Sequence, residues 1–74
     1  MSGPLDLRGL KCPLPALFAR RALARAAPGV EVTVVADDPL AAIDIPHMCR
    51  QEGYEVVALE RDGALAKLTL RRPA

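Results

Sequence analysis

The chain has 74 residues and is poor in aromatic side chains, histidine and cysteine. Phe18 and Tyr54 are the only aromatic residues, so we expect an aliphatic core. Cys12, Cys49 and His47 offer three soft metal ligands at most, fewer than the roughly four that a structural zinc site needs. A cysteine protease needs a histidine base with an orienting partner, and the sequence offers no such arrangement. It also has no glycine-rich phosphate loop.

A strong charge of either sign is also missing, because the formal net charge is only +1. We therefore expect neither nucleic acid nor a membrane as a partner, and we interpret the small arginine clusters at 20–25 and 71–72 as solvated surface. The first residues contain no basic stretch followed by an apolar run, so no signal peptide or membrane span is expected. The expected location is the cytoplasm, where thiols stay reduced and a structural disulfide is not the default.

What is present is the balance of a globular protein, with 51% hydrophobic and 26% charged residues. The whole chain, residues 1–74, is too short for more than one domain. Alternating or β-branched runs predict strands, and longer stretches between turn residues predict helices. The predicted strands are 5–7, 30–36, 54–61 and 64–71, and the predicted helices are 12–27 and 38–52. This βαβαββ order favours a two-layer α+β sandwich, with one mixed four-stranded sheet and two helices on one face.

Three local signals set the expected boundaries after the first helix. Asp38 suits the N-cap of the second helix and Pro39 its first position. Pro46 lies inside that helix and predicts a kink or an irregular start near residues 44–46. Asp62 and Gly63 predict a tight hairpin turn between the last two strands.

The first helix has two unlike faces. An uncharged stripe suits packing against the sheet and consists of Ala16, Ala19, Leu23 and Ala26. Leu14, Leu17 and Phe18 fall on the other side, together with Arg21 and Arg25. We interpret this apolar patch as a docking surface for another protein, with Arg21 adding a charged contact. The alternative is that Phe18 packs under a neighbouring loop.

Cys12 is the strongest candidate for a functional residue. It is predicted at the N-cap of the first helix, where unpaired backbone N–H groups and the helix dipole stabilise an anion. We therefore expect its thiol pKa to be lower than usual. Pro13 and Pro15 fit the first helical turn and stiffen it, leaving the amides of Leu14 and Ala16 to face the sulfur.

Cys49 is predicted inside the second helix, with no helix N-terminus to activate it. A small buried hydrophobe is the usual role of such a cysteine, and a resolving thiol for Cys12 is the alternative. His47 has no evident partner to orient it, which argues against a dyad with Cys12.

Three motifs together resemble the TusA/SirA-like family. The first is residues 5–15, with the C-P-x-P core at Cys12 to Pro15. The second is Asp37, Asp38 and Pro39, and the third is the D-I-P-x-x-C run from Asp44 to Cys49, followed by Gly53. The resemblance covers residues 5–70.

The resemblance implies a sulfur carrier that holds sulfur as a persulfide on Cys12, with no other cofactor and no metal. It implies a cysteine desulfurase or a rhodanese-type protein as donor. It implies an acceptor protein in tRNA thiolation, molybdenum-cofactor or sulfur metabolism. Leu14 stands where the tRNA-thiolation members typically have glutamate, which puts that pathway in question.

Lys11 stands where the family commonly has arginine, so the positive charge beside Cys12 is kept. Lys11 is therefore a candidate for holding the persulfide anion, or else a plain solvated lysine. Two other function classes stay open. One is a non-catalytic interaction or regulatory module, and the other is a thiol redox protein that uses Cys12 and Cys49.

Overall fold

The computed structural model describes residues 4–73 of the chain. Within them the elements are β1 Leu5–Asp6, α1 Leu14–Arg25, β2 Glu31–Ala36, α2 Ala41–Glu52, β3 Glu55–Asp62 and β4 Leu65–Arg71. The predicted βαβαββ order is confirmed. The expected domain of residues 1–74 reaches beyond the described residues at both ends, and the expectation about a signal peptide concerns residues 1–3, which also lie outside them.

The strands form one mixed sheet in the order β1-β2-β4-β3. β1 runs parallel to β2, and β4 is antiparallel to both of its neighbours. The return of β4 between β2 and β3 places the last strand of the chain in the interior of the sheet. The predicted mixed four-stranded sheet is confirmed.

The core lies between this sheet and the two helices. In β4, buried Ala66, Leu68 and Leu70 alternate with more accessible residues, so one face of the strand is covered. Leu23 of α1 and Ile45 of α2 are fully buried in the same apolar cluster. Both helices therefore cover the same face of the sheet, as predicted.

The second helix begins later than predicted, with Leu40 rather than Asp38 at its N-cap. The backbone N–H of Ala41 donates to the Asp38 carbonyl at 2.9 Å, so a turn precedes the helix. Within this turn Asp38 Oδ1 accepts a hydrogen bond from the backbone N–H of Leu40 at 3.3 Å, while Oδ2 accepts one from the loop between β1 and α1. The predicted irregular start near Pro46 is also wrong, because Pro46 lies inside a continuous helix.

The hairpin turn is displaced by one residue from the prediction. β3 extends through Asp62, which pairs with Leu65 at the start of β4, so Gly63 and Ala64 form the turn. Gly63 has a positive φ of 60°, a conformation that glycine adopts without steric cost. Among the described residues, neither helix is long and apolar enough to cross a membrane.

Candidate functional site

Two aspartates hold the loop that carries Cys12. β1 and β2 are parallel neighbours, so the loops that follow them leave the same edge of the sheet. After β2, Asp37 accepts a hydrogen bond from the backbone N–H of Gly9 at 2.9 Å. Asp38 accepts one from the backbone N–H of Cys12 at 2.6 Å. The loop between β1 and α1 is thus fastened to the loop between β2 and α2.

Cys12 precedes the helix start instead of capping it. The N-cap is Pro13, and the first helical residue is Leu14. The backbone N–H of Leu14 donates to the Lys11 carbonyl at 2.8 Å. This amide is therefore occupied within the turn and is not free to stabilise the sulfur. The expectation that Cys12 is the N-cap, with the Leu14 amide facing it, is wrong.

The nearest polar group to the Cys12 sulfur is a carboxylate. The Cys12 thiol donates a hydrogen bond to Oδ2 of Asp44, at an Sγ···O distance of 2.7 Å. This hydrogen bond raises the pKa of the Cys12 thiol, and partial desolvation and the charges of Asp44 and Asp38 act in the same direction. The expected lowering of the pKa is therefore wrong, because the adjacent carboxylates act in the opposite direction to a helix N-terminus.

The contact of Asp44 with Cys12 was not predicted, although the spacing of α2 gives a signal that Asp44 needs a polar partner. Ala41, Ile45 and Met48 are the buried residues of one helical stripe, and Asp44 falls on the same stripe. An acidic residue at a position spaced for the core needs a polar partner there. The Cys12 thiol is that partner.

Cys12 and Asp44 open onto a groove between α1 and α2, with a volume of about 290 Å³. The groove is lined by Cys12, Pro13, Ala16, Leu17, Arg20, Asp44, His47, Met48, Gln51 and Glu52. At the end away from Cys12, Arg20 and Glu52 form an ion pair at 3.9 Å. Because residues of both helices line the groove, a molecule that reaches the sulfur through it contacts both helices.

His47 lines the groove, but the hydrogen-bond partner of the Cys12 thiol is Asp44. The structure therefore gives no support to a dyad of Cys12 with His47. Within residues 4–73, no three histidine, cysteine or acidic side chains are grouped to hold a metal ion.

The apolar patch on α1 is exposed next to this site. Leu14, Leu17 and Phe18 are 42%, 45% and 37% exposed. The Arg21 guanidinium lies 5.6 Å from the centroid of the Phe18 ring, within the range of a cation–π contact. Only Leu17 of these residues also lines the groove. The patch thus joins the groove at Leu17, and its role in docking stays a prediction.

The remaining predicted site residues differ in their surroundings. Cys12 and Cys49 are both free thiols, and Cys49 is only 1% exposed in the core. Burial raises the pKa of the Cys49 thiol. Pro13 is exposed and joined to Cys12 by a cis peptide bond, Pro15 is buried, and Lys11 is exposed. Cys12 is thus the accessible cysteine of the chain.

Comparison with known proteins adds two findings. The chain matches the family model described as sulfurtransferase TusA over residues 4–72. It is also similar to the crystal structure of a SirA-like protein from Desulfitobacterium hafniense, at 29% sequence identity and a TM-score of 0.79. That similarity covers 96% of this chain and 97% of the other.

Proposed function

Since the chain belongs to the TusA sulfurtransferase family, which carries sulfur between proteins, we propose that it accepts sulfane sulfur as a persulfide on Cys12 and passes it to an acceptor protein. The observation that carries this proposal is the contrast between the two cysteines. Cys12 is exposed at the end of a groove, whereas Cys49 is buried in the core. Sulfur transfer between two proteins requires a sulfur atom that the partner can reach.

The loading step exchanges one sulfur–sulfur bond for another. Cys12 attacks the terminal sulfur of a donor persulfide, R–S–SH, and a new bond forms between Sγ and that sulfur. The donor's own sulfur–sulfur bond breaks, and its cysteine leaves as a thiolate that takes up a proton. The thiol and R–S–SH give Cys12–S–SH and R–SH, with no net oxidant or reductant.

The partners proposed are a cysteine desulfurase or a rhodanese-type protein as donor, and a sulfur-accepting protein downstream. The acceptor belongs to tRNA thiolation, molybdenum-cofactor or sulfur metabolism. We propose that both partners approach over Leu17, Phe18 and Arg21, because this exposed patch adjoins the groove. A relay on a free thiol requires a reducing compartment, which favours the cytoplasm.

Intact-mass measurement tests the proposal. The chain is incubated with a cysteine desulfurase and cysteine, and we expect its mass to increase by one sulfur atom. Cys12→Ser should abolish the increase, and Cys49→Ala is the matched control that should retain it. Loss of loading in Cys49→Ala, or full loading in a folded Cys12→Ser chain, contradicts the proposal.

The same measurement separates the other two function classes. A non-catalytic module gains no sulfur under these conditions. A redox protein that pairs Cys12 with Cys49 loses two hydrogen atoms under mild oxidation. The burial of Cys49 gives no support to that pairing.

A further inference from the structure

The contact between Cys12 and Asp44 joins two parts of the chain that are distant in sequence. The thiol lies at the end of the β1–α1 loop and the carboxylate in the first turn of α2. Asp38 accepts the backbone N–H of Cys12 at 2.6 Å and so holds the backbone of the same residue. The sulfur is therefore aimed at Asp44 by a backbone constraint as well as by its own hydrogen bond.

None of the other charged groups described near the sulfur contacts the thiol, so none counters the negative charge of the Asp44 carboxylate there. Arg20 is paired with Glu52 at the far end of the groove. His47 lines the groove and is exposed, and Lys11 adjoins Cys12 in sequence with its side chain in solvent. The charged or titratable groups that line the groove or adjoin Cys12 are thus Asp44, Asp38, His47, Lys11 and, at the far end, Arg20 and Glu52. Among the described residues, Asp44 is the one that hydrogen-bonds to the sulfur.

We propose that Asp44 is a positioning residue that keeps the Cys12 thiol of the empty carrier protonated and slow to react. The hydrogen bond requires a proton on Sγ, because a thiolate facing a carboxylate at this distance would be repelled. The raised pKa of the Cys12 thiol agrees with this geometry.

The Cys12–Asp44 hydrogen bond can exist only in the empty carrier and not in the loaded one, a consequence that rests on the proposed function. Once Sγ is bonded to the transferred sulfur, it has no proton left to donate to Asp44. A persulfide is a stronger acid than a thiol, so its terminal sulfur carries negative charge more readily. Asp44 then repels that charge and favours its exposure towards an acceptor.

The test is the pH dependence of Cys12 alkylation by iodoacetamide, which reacts with the thiolate. Rates are followed on the tryptic peptide of residues 12–20, which contains Cys12 and no other cysteine. We expect Asp44→Asn and Asp44→Ala to shift the profile to lower pH and to speed alkylation at neutral pH. At a pH well below the pKa, the thiolate fraction of Cys12 rises about tenfold for each unit by which the pKa of the thiol falls.

Two controls make the outcome specific. Glu31→Gln removes an exposed carboxylate at the start of β2, the opposite end from Asp37, and should leave the profile unchanged. Wild-type chain in urea supplies a reference without any substitution. In the unfolded chain Cys12 is an ordinary thiol. The alkylation profile of the folded chain should therefore lie at higher pH than this reference.

The proposal is overturned if alkylation of Cys12 in the folded chain rises at the same pH as in the unfolded chain, or at a lower pH. It is also overturned if Asp44→Asn leaves the profile in place or slows alkylation, since slowing would make Asp44 a base. These readings do not involve sulfur transfer. A chain with the expected profile that takes up no sulfur would contradict the proposed function alone.

Discussion

At the scale of single residues, the position of the reactive sulfur depends on carboxylates from another part of the chain. Asp38 holds the Cys12 backbone, and Asp44 holds its thiol. Hydrogen bonds with a charged partner are stronger than neutral ones, so each contact restricts the loop. Cys12 is thus exposed and held at both its backbone and its thiol.

The Asp38 contact predicts a loss of stability on substitution. Asp38→Ala removes the acceptor of the Cys12 N–H and should lower the free energy of unfolding by about 1 to 3 kcal/mol. Urea denaturation followed by circular dichroism measures the change. Glu31→Gln is again the control and should stay within about 0.5 kcal/mol of wild type. An equal effect of the two substitutions would show that the Asp38 contact contributes nothing.

The sequence marked Cys12 as a candidate but did not determine the direction of its pKa shift. Two prolines and a following helix pattern marked the residue as special. Its hydrogen-bond partner lies 32 positions away, and nothing local in the sequence indicates that the two meet. The direction of the pKa shift therefore needed the packing of α2 against the β1–α1 loop.

At the scale of elements, α1 has one buried face and one exposed face. Ala19 and Leu23 are fully buried against the sheet, whereas Leu17 and Phe18 remain accessible on the opposite side. The wheel of the helix predicted both faces correctly, because its period is fixed by backbone geometry. Pro15 is also buried, and it lies four positions before Ala19 on the same stripe, although the prediction did not include it.

The exposed side of α1 is expected to affect transfer without affecting stability. Leu17→Ala should slow sulfur uptake from a desulfurase several-fold, because hot-spot truncations at interfaces cost about 1 kcal/mol or more. Its unfolding free energy should change little. Initial rates of loading at sub-saturating donor, read by intact mass, measure the effect.

The matched control lies on a different element. Val57 is 43% exposed at the irregular step in β3, and Val57→Ala should leave the loading rate unchanged. Equal loading rates for Leu17→Ala and wild type would exclude Leu17 from the docking surface.

The boundaries of the elements were less predictable than their order. Asp38 and Pro39 have the residue types of a helix start, and Asp38 does accept the backbone N–H of Leu40, but this contact lies in a turn that precedes the helix. At the hairpin, β3 extends to Asp62, which pairs with Leu65. In both places the residue types indicated a boundary without fixing its exact position.

At the scale of the whole molecule, stability depends on a small aliphatic core. The fully buried side chains of highest volume are Leu23, Ile45, Leu68, Leu70, Val34, Pro15 and Cys49. A chain of this length buries a smaller share of its surface than a larger domain does. Each core side chain therefore contributes a large share of the net stability.

Truncation at the centre of the sheet should accordingly be severe. Leu68 is fully buried in β4, which lies between β2 and β3. Leu68→Ala should lower the unfolding free energy by about 2 to 5 kcal/mol. Thermal or urea denaturation measures this loss. A change below about 1 kcal/mol would mean that Leu68 contributes far less than its burial implies.

The architecture was predictable because apolar residues recur with different periods in strands and in helices. A chain of this length also allows few ways to pack two helices on a four-stranded sheet. The position of β4 between β2 and β3 was not, since the order of strands depends on long-range pairing. The parallel pairing of β1 with β2 leaves the loops after these two strands side by side, where the Cys12 site forms.

The most direct measurement of the central claim locates the transferred sulfur within the wild-type chain. After loading by a desulfurase, persulfides are trapped by alkylation and the chain is cleaved with trypsin. Lys11 and Arg20 release Cys12 in the peptide of residues 12–20, and Cys49 falls in residues 26–50. We expect the added sulfur atom in the first peptide alone. Its presence in the second peptide, or in neither, would contradict the assignment of sulfur carriage to Cys12.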